Sequence, residues 1–304
     1  MSTAPSSRAT ALRLAGNVVA VVAVIFVFVR LRASVETLPA LTASAPLIAA
    51  IVAGVGANLL GLALATSAWQ ALLRSVGVEA AWRACAAIVG RSNIAKYVPG
   101  NIFHLVGRVG LAADAGLPSS LVVATLTAET AIVIGVAGLL GAPAAVRRLQ
   151  SLTEVPAVPT VAVAVAAAVA ALAALAVLLR RRGIALRPGV LGTVVALDIV
   201  TYVVHGTTTW WLLSVLAPAA STTWWVCVSG FSLAWVLGFV VPGAPGGIGV
   251  REAVFIGLVG SDVTPEVAAA VSATVVVGRM QSVVGDVIVF VAAQRLQRRL
   301  ATSR

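Results

Sequence analysis

The chain reads as an all-α polytopic membrane protein, with about six to eight transmembrane helices and two broken, re-entrant helical hairpins set in an inverted repeat. Three observations lead there. Of 304 residues, 60% are hydrophobic and only 10% charged, with a mean hydropathy of +1.06; a soluble globular domain is about a quarter charged. Apolar runs of roughly 20 residues, the length that crosses a bilayer as a helix, recur along the whole chain. A Val-Pro-Gly break followed by an arginine occurs twice, 143 positions apart.

The elements follow in order. Leu14 to Val29, between Arg13 and Arg30, is an expected first span, and residues 1–13 before it form an N-terminal tail. It lacks a small-residue cleavage site, so it reads as uncleaved. Pro46 to Ala68, Ser119 to Gly141, Val158 to Leu179, Val190 to Leu213, Thr222 to Val241 and Glu266 to Ala292 are further spans, and 293–304 is a basic tail. Residues 14–292 make one transmembrane domain. Two stretches do not read as simple spans. Trp82 to Ala112 is broken at Pro99-Gly100, and Ile248 to Gly260 is short and follows a Pro/Gly-rich segment.

The net charge of +11 does not indicate nucleic acid, because the arginines cluster at the ends of apolar runs. Arg8, Arg13, Arg74, Arg83, Arg180 to Arg182, Arg187, Arg295, Arg298, Arg299 and Arg304 fall on one side. Arg30, Arg32, Arg147 and Arg148 fall on the other with Glu36, Glu154, Asp262 and Glu266. The more positive side is cytoplasmic, which puts both termini in the cytoplasm of a cell-membrane protein. Cys85 and Cys227 sit in apolar runs and read as packing residues.

Val98-Pro99-Gly100 and Arg108 recur as Val241-Pro242-Gly243 and Arg251, and Trp82 recurs as Trp225. The repeats cover about 46–141 and 189–292, with the linker helix 158–179 between them. Each holds a span, a broken hairpin and a span, so each begins and ends on one side of the membrane. The single linker helix then starts the second repeat on the opposite side. This is the inverted plan of many transporters.

Irregular backbone at membrane depth survives only in protein or beside a wet cavity. The first break, Arg91 to Asn101, carries Arg91, Lys96 (the only lysine) and Tyr97. Pro99 disfavours helix at the preceding residue, Gly100 relaxes the turn, and Asn101 can cap the next half-helix. His104 and Arg108 follow on one face of that half-helix. The second break carries Pro245, and its glycines Gly246, Gly247 and Gly249 free backbone amides toward an anion, with Arg251 and Glu252 beside them. A lipid phosphate suits such a set of cations. The alternatives are that Arg91, Lys96 and Arg108 snorkel to the surface and that Arg251 pairs with an acid. Glu129, Asp198, Arg279 and Asp286 are the remaining intramembrane charges, read as counter-ions of the cavity, a proton relay or interhelix ion pairs. Asp198, Tyr202, His205 and Thr209 share a stripe, as do Ser272, Arg279, Ser282 and Asp286. No metal-ligand spacing, P-loop, nucleophile elbow or dinucleotide motif is present, so neither metal nor cofactor is expected.

The segment Ala95-Lys96-Tyr97-Val98-Pro99-Gly100-Asn101-Ile102-Phe103-His104 with Gly107-Arg108, together with Pro245-Gly246-Gly247-Ile248-Gly249-Val250-Arg251-Glu252, resembles the two signatures of the lysylphosphatidylglycerol synthase transmembrane region family. The resemblance spans about residues 15–295. It implies the lipid-translocating region without the soluble aminoacyl-transfer domain, similar to stand-alone members. The expected function is therefore a flippase or transporter for an anionic or aminoacylated phospholipid or a lipid-linked glycan, and not an enzyme. Membrane lipids are the expected partners, with a separate lipid synthase or glycosyltransferase as a further one. The alternatives are a membrane-integral transferase with Glu252 or Glu129 as base, a non-catalytic partner of such an enzyme, and a proton-coupled solute carrier.

Overall fold

The computed structural model describes residues 44–98, 102–152, 177, 187–218, 222–241, 247, 249–259 and 264–302. The expected first span, nearly all of the linker helix 158–179, and Pro99, Gly100, Asn101, Pro245 and Gly246 lie outside the described residues. The described residues are almost entirely helical and contain no strand.

Among the described residues there are eight α-helices: α1 (Ala45–Ser75), α2 (Trp82–Asn93), α3 (Phe103–Asp114), α4 (Ser119–Leu152), α5 (Pro188–Leu216), α6 (Trp224–Val240), α7 (Val250–Val259) and α8 (Pro265–Thr302). Four of them, α1, α4, α5 and α8, are long and apolar enough to cross a membrane. At 1.5 Å per residue their 29 to 38 residues extend about 44 to 57 Å, beyond the ~30 Å hydrocarbon core. The expected Thr222 to Val241 span falls on the 17-residue apolar helix α6, about 26 Å long, which packs against α7.

Both breaks end their helices as proline chemistry requires. A short 3₁₀ turn, Ile94–Tyr97, tightens the end of α2, and Val98 before Pro99 is extended (φ −75°, ψ 136°). Val241 before Pro242 is likewise extended (φ −69°, ψ 117°). After each break the chain reverses. Gly107 of α3 lies against Ser92 of α2, and Gly230 of α6 lies against Phe255 and Leu258 of α7. The two broken stretches are therefore helical hairpins.

The order long helix, hairpin, long helix occurs twice, in α1–α4 and α5–α8. The tryptophan opening each hairpin bonds the preceding long helix: Trp82 Nε1 donates to Ser67 (3.0 Å) and Trp224 Nε1 to Thr207 (2.8 Å). Trp224 thus makes the same kind of bond as Trp82. Cys85 and Cys227 are each buried in a core cluster.

The halves interlock by exchange. Helix α4 of the first packs on α6 of the second, and α8 of the second packs on α2 of the first. At the centre α1 and α5 run antiparallel. Leu47 and Ala50 cluster with Leu212 and Leu216, Gly61 meets Thr201 and His205, and Ala68 and Leu72 cluster with Val190 and Val194. Small residues at Ala50, Gly54, Ala57 and Gly61 make the inward stripe of α1, which lets neighbouring helices approach closely.

Helix α8 organises the hairpins. The first descends along it from its C-terminal end, with Gly90 against Ala293 and Val289, and the tip residues Lys96 and Tyr97 at Asp286. The second ascends from the N-terminal end, with Phe255 and Val259 among Ala270 and Val271. Its tip residue Arg251 shares a cavity wall with Gly278 and Arg279. The two tips thus reach the middle of one 38-residue helix from opposite ends.

Candidate functional site

Three polar centres lie where the hairpins meet the long helices. The first is the carboxylate of Asp286, whose side chain is fully buried. Lys96 Nζ lies 2.7 Å from its Oδ2, Tyr97 Oη donates to the same oxygen at 2.5 Å, and Asn93 Nδ2 donates to Oδ1 at 2.8 Å. A buried charge needs both a counter-ion and hydrogen bonds, and Asp286 has both from one hairpin tip. The Arg279 guanidinium lies over the Tyr97 ring, 5.5 Å from its centroid.

The second centre is Arg108 of α3, buried among α1, α3 and α4. Its Nη1 is 2.8 Å from Glu129 Oε2, and its guanidinium lies 5.4 Å from the Trp69 ring. Trp69 Nε1 in turn donates to Thr125, one turn before Glu129. This is a charge neutralised within the first half.

The third centre is a cavity of about 90 Å³, room for several water molecules. Its wall is built by α1, α5, α6, α7 and α8, and its charged residues are Arg251, Arg279 and Glu252. Arg251 reaches it between two glycines. A Cβ on Gly238 would collide with Arg251 Cγ, and one on Gly247 would fall 2.5 Å from Arg251 Nε. Gly247 and Gly249 also have φ of 75° and 89°, which side-chain-bearing residues rarely adopt. The guanidinium stacks 5.4 Å from the Trp235 ring, and among the described residues its buried Nε has no hydrogen-bond partner. Glu252 folds back onto its own turn, accepting from Gly249 N–H at 2.5 Å.

An aromatic chain joins the two hairpins. His104 meets Phe239 edge-on at 6.5 Å, Phe239 stacks on Trp235 at 5.2 Å, and Tyr202 meets Trp235 edge-on at 5.5 Å. His205 stacks on Phe231 at 5.3 Å in the same cavity wall.

Of the residues expected to form one anion site, Arg251, Glu252 and Arg279 stand together at the cavity. Lys96 and Tyr97 belong to the Asp286 centre, and Arg108 pairs with Glu129. His104 lies on the aromatic chain, and Arg91 is partly buried in the last turn of α2. Asp198 is buried on α5 and does not line the cavity, and among the described residues its Oδ2 has no hydrogen-bond partner. Sequence reasoning missed Thr208, Thr274, Gln281, Phe231 and Trp235 as cavity residues. The helical stripes through Thr209 and Ser282 were the available signal for the first three. Among the described residues no group of three His, Cys, Asp or Glu side chains is placed to hold a metal ion.

Neither family models nor curated proteins give a match to this chain.

Proposed function

We propose that the protein is a cell-membrane transporter that carries an anionic lipid headgroup between leaflets, built as an inverted repeat around the Arg251–Arg279 cavity. The observation that carries this reading is two guanidiniums lining a cavity midway along α8. The described charges in its wall are these two and the single carboxylate of Glu252. A charge at the bilayer centre costs roughly 2.5–3.5 kcal/mol on insertion scales, so such groups serve an ion or substrate path more often than packing. The ligand best suited to the wall is an anion, and the anion that reaches a membrane-embedded cavity from the side is a phosphate carried on acyl chains.

The inverted architecture rests on the antiparallel pairing of α1 with α5 and on the exchange of α4–α6 for α8–α2 contacts. In this reading the hairpins are re-entrant from opposite faces. The ends carrying Arg74, Arg83, Arg187, Arg295, Arg298 and Arg299 then lie on one side, and Arg147, Arg148 and Glu266 on the other. The first side is cytoplasmic by its arginine excess, which sets the C terminus there. The resemblance of the two break motifs to the lysylphosphatidylglycerol synthase transmembrane region points the same way. Rocking of one half against the other would expose the cavity to each leaflet in turn.

The test is leaflet-resolved movement of a fluorescent anionic phospholipid in proteoliposomes. Wild-type protein accelerates exchange over protein-free vesicles, and Arg251→Ala and Arg279→Ala return it to the protein-free rate. Wild-type exchange no faster than in empty vesicles removes the proposal.

A further inference from the structure

The transport reading leaves open what the phosphate carries, and the hydrogen-bond balance of the cavity bears on that. The neutral hydroxyls in the wall have already spent their protons. Thr208 donates to Val204 and His205 carbonyls, Thr209 to the His205 carbonyl at 2.8 Å, Thr274 to the Ala270 carbonyl at 2.8 Å, and Ser282 to the Gly278 carbonyl at 3.1 Å. Such back-bonding leaves each oxygen with acceptor capacity only. Gln281 donates through Nε2 to the Ala50 carbonyl at 3.2 Å, so its amide also has an oxygen in excess. Its terminal amide fills the space a Cβ on Gly54 would occupy, which places that amide at the cavity edge. The charged donors in the wall are the two arginines.

The cavity is therefore two-sided in chemistry: guanidinium donors at one part, and elsewhere the hydroxyl and Gln281 oxygens as acceptors, with the ring N–H groups of His205 and Trp235 and one Gln281 N–H as the neutral donors. We propose that it selects a lipid whose phosphate bears a hydroxyl-rich group, a polyol or a sugar, over a bare phosphate or an ammonium headgroup. This rests on the transport reading and names its substrate class. The phosphate meets Arg251 and Arg279, and the hydroxyls donate to the Thr208, Thr209, Thr274 and Ser282 oxygens. A bare phosphate monoester has no donors for those oxygens beyond its own single proton. An ammonium group would find donors' partners there, but it would sit against two guanidiniums, and the one carboxylate in the wall, Glu252, is already held by the Gly249 N–H.

Native mass spectrometry of the full-length protein in mild detergent tests this, with phosphatidylinositol, phosphatidic acid and phosphatidylethanolamine added in equal amounts. Phosphatidylinositol is expected to exceed each of the others by roughly tenfold, the equivalent of one to two hydrogen bonds. Thr209→Val with Ser282→Ala is expected to bring the ratio of phosphatidylinositol to phosphatidic acid down to about one, and Arg251→Ala to weaken both anionic lipids. Equal or stronger binding of phosphatidic acid or phosphatidylethanolamine by the wild type overturns the polyol assignment, as does a preference that survives in the double variant. If anionic lipids still move between leaflets in an Arg251-dependent way, the transport reading outlives that failure. Absence of both binding and movement removes the two together.

Discussion

Asp286 holds the first hairpin against α8, and its removal gives a quantitative prediction. The carboxylate takes Lys96, Tyr97 and Asn93, three groups about 190 positions away in sequence. Asp286→Ala strips the counter-ion from Lys96, whose side chain is one-quarter exposed. It also unpairs the Tyr97 hydroxyl and the Asn93 amide. Breaking a fully buried pair costs about 3–5 kcal/mol, and the partial exposure of Lys96 places the expected loss near the bottom of that range, about 3 kcal/mol. Lys96→Met alone leaves the carboxylate with two neutral donors and is expected to cost about 2 kcal/mol, since a buried charge keeps part of its solvation from hydrogen bonds. The double variant Lys96→Met/Asp286→Ala removes both charges, and its cost falls at least about 1 kcal/mol short of the sum, the range expected for residues in one network. The assay is reversible unfolding in lipid-detergent mixed micelles, read by tryptophan fluorescence. An Asp286→Ala cost below about 1 kcal/mol, or strict additivity in the double variant, would refute the reasoning that this carboxylate anchors the hairpin.

Other expectations follow from the same geometry. Glu129→Gln leaves buried Arg108 with the Trp69 face but no counter-ion, so it lowers stability by about 2–3 kcal/mol; Arg108→Met/Glu129→Gln recovers part of that in the same assay. Gly206→Ala places a methyl on the Val228 backbone and costs about 1–3 kcal/mol, whereas Gly138→Ala, which meets nothing within 4 Å, is neutral or slightly stabilising. Gly247→Ala forces a strained φ and crowds Arg251, so lipid movement falls even where the protein is recovered in normal yield. Asp198→Asn replaces a buried acid that has an unpartnered oxygen with a neutral amide, and thermal unfolding is expected to stay within about 1 kcal/mol of wild type.

The all-helical character and the four long apolar helices are legible because each is a local property of some 20 residues. The hairpin breaks are legible for the same reason, since proline acts on the residue before it. Pairing is not local. Nothing in the periodicity of the first hairpin says that Lys96 meets Asp286, or that Arg108 finds Glu129 on the next helix, because any of several acids in the apolar helices satisfies a cation equally well. The grouping of Lys96, Arg108 and Arg251 as one site therefore had no way to resolve into two neutralised centres and one cavity. The packing of α6 was hidden as well: Thr222 to Val241 is apolar throughout, and its contact with α7 is set by residues distant in sequence. That Trp224 bonds Thr207 as Trp82 bonds Ser67 is not revealed by a pair of adjacent tryptophans.

The account depends most on a hydrated chamber along the middle of α8, and thiol labelling of that helix measures it directly. In a background with Cys85 and Cys227 replaced by alanine, Ser282→Cys sits in the cavity wall, and Val284→Cys, 49% exposed, lies on the outer apolar face of α8. A charged thiol reagent reacts with a thiolate, which forms readily only where water reaches. The prediction is that the cysteine at 282 reacts in intact proteoliposomes, that an anionic phospholipid slows it, and that the cysteine at 284 stays unlabelled until detergent is added. A cysteine at 282 as inert as that at 284 would contradict the account.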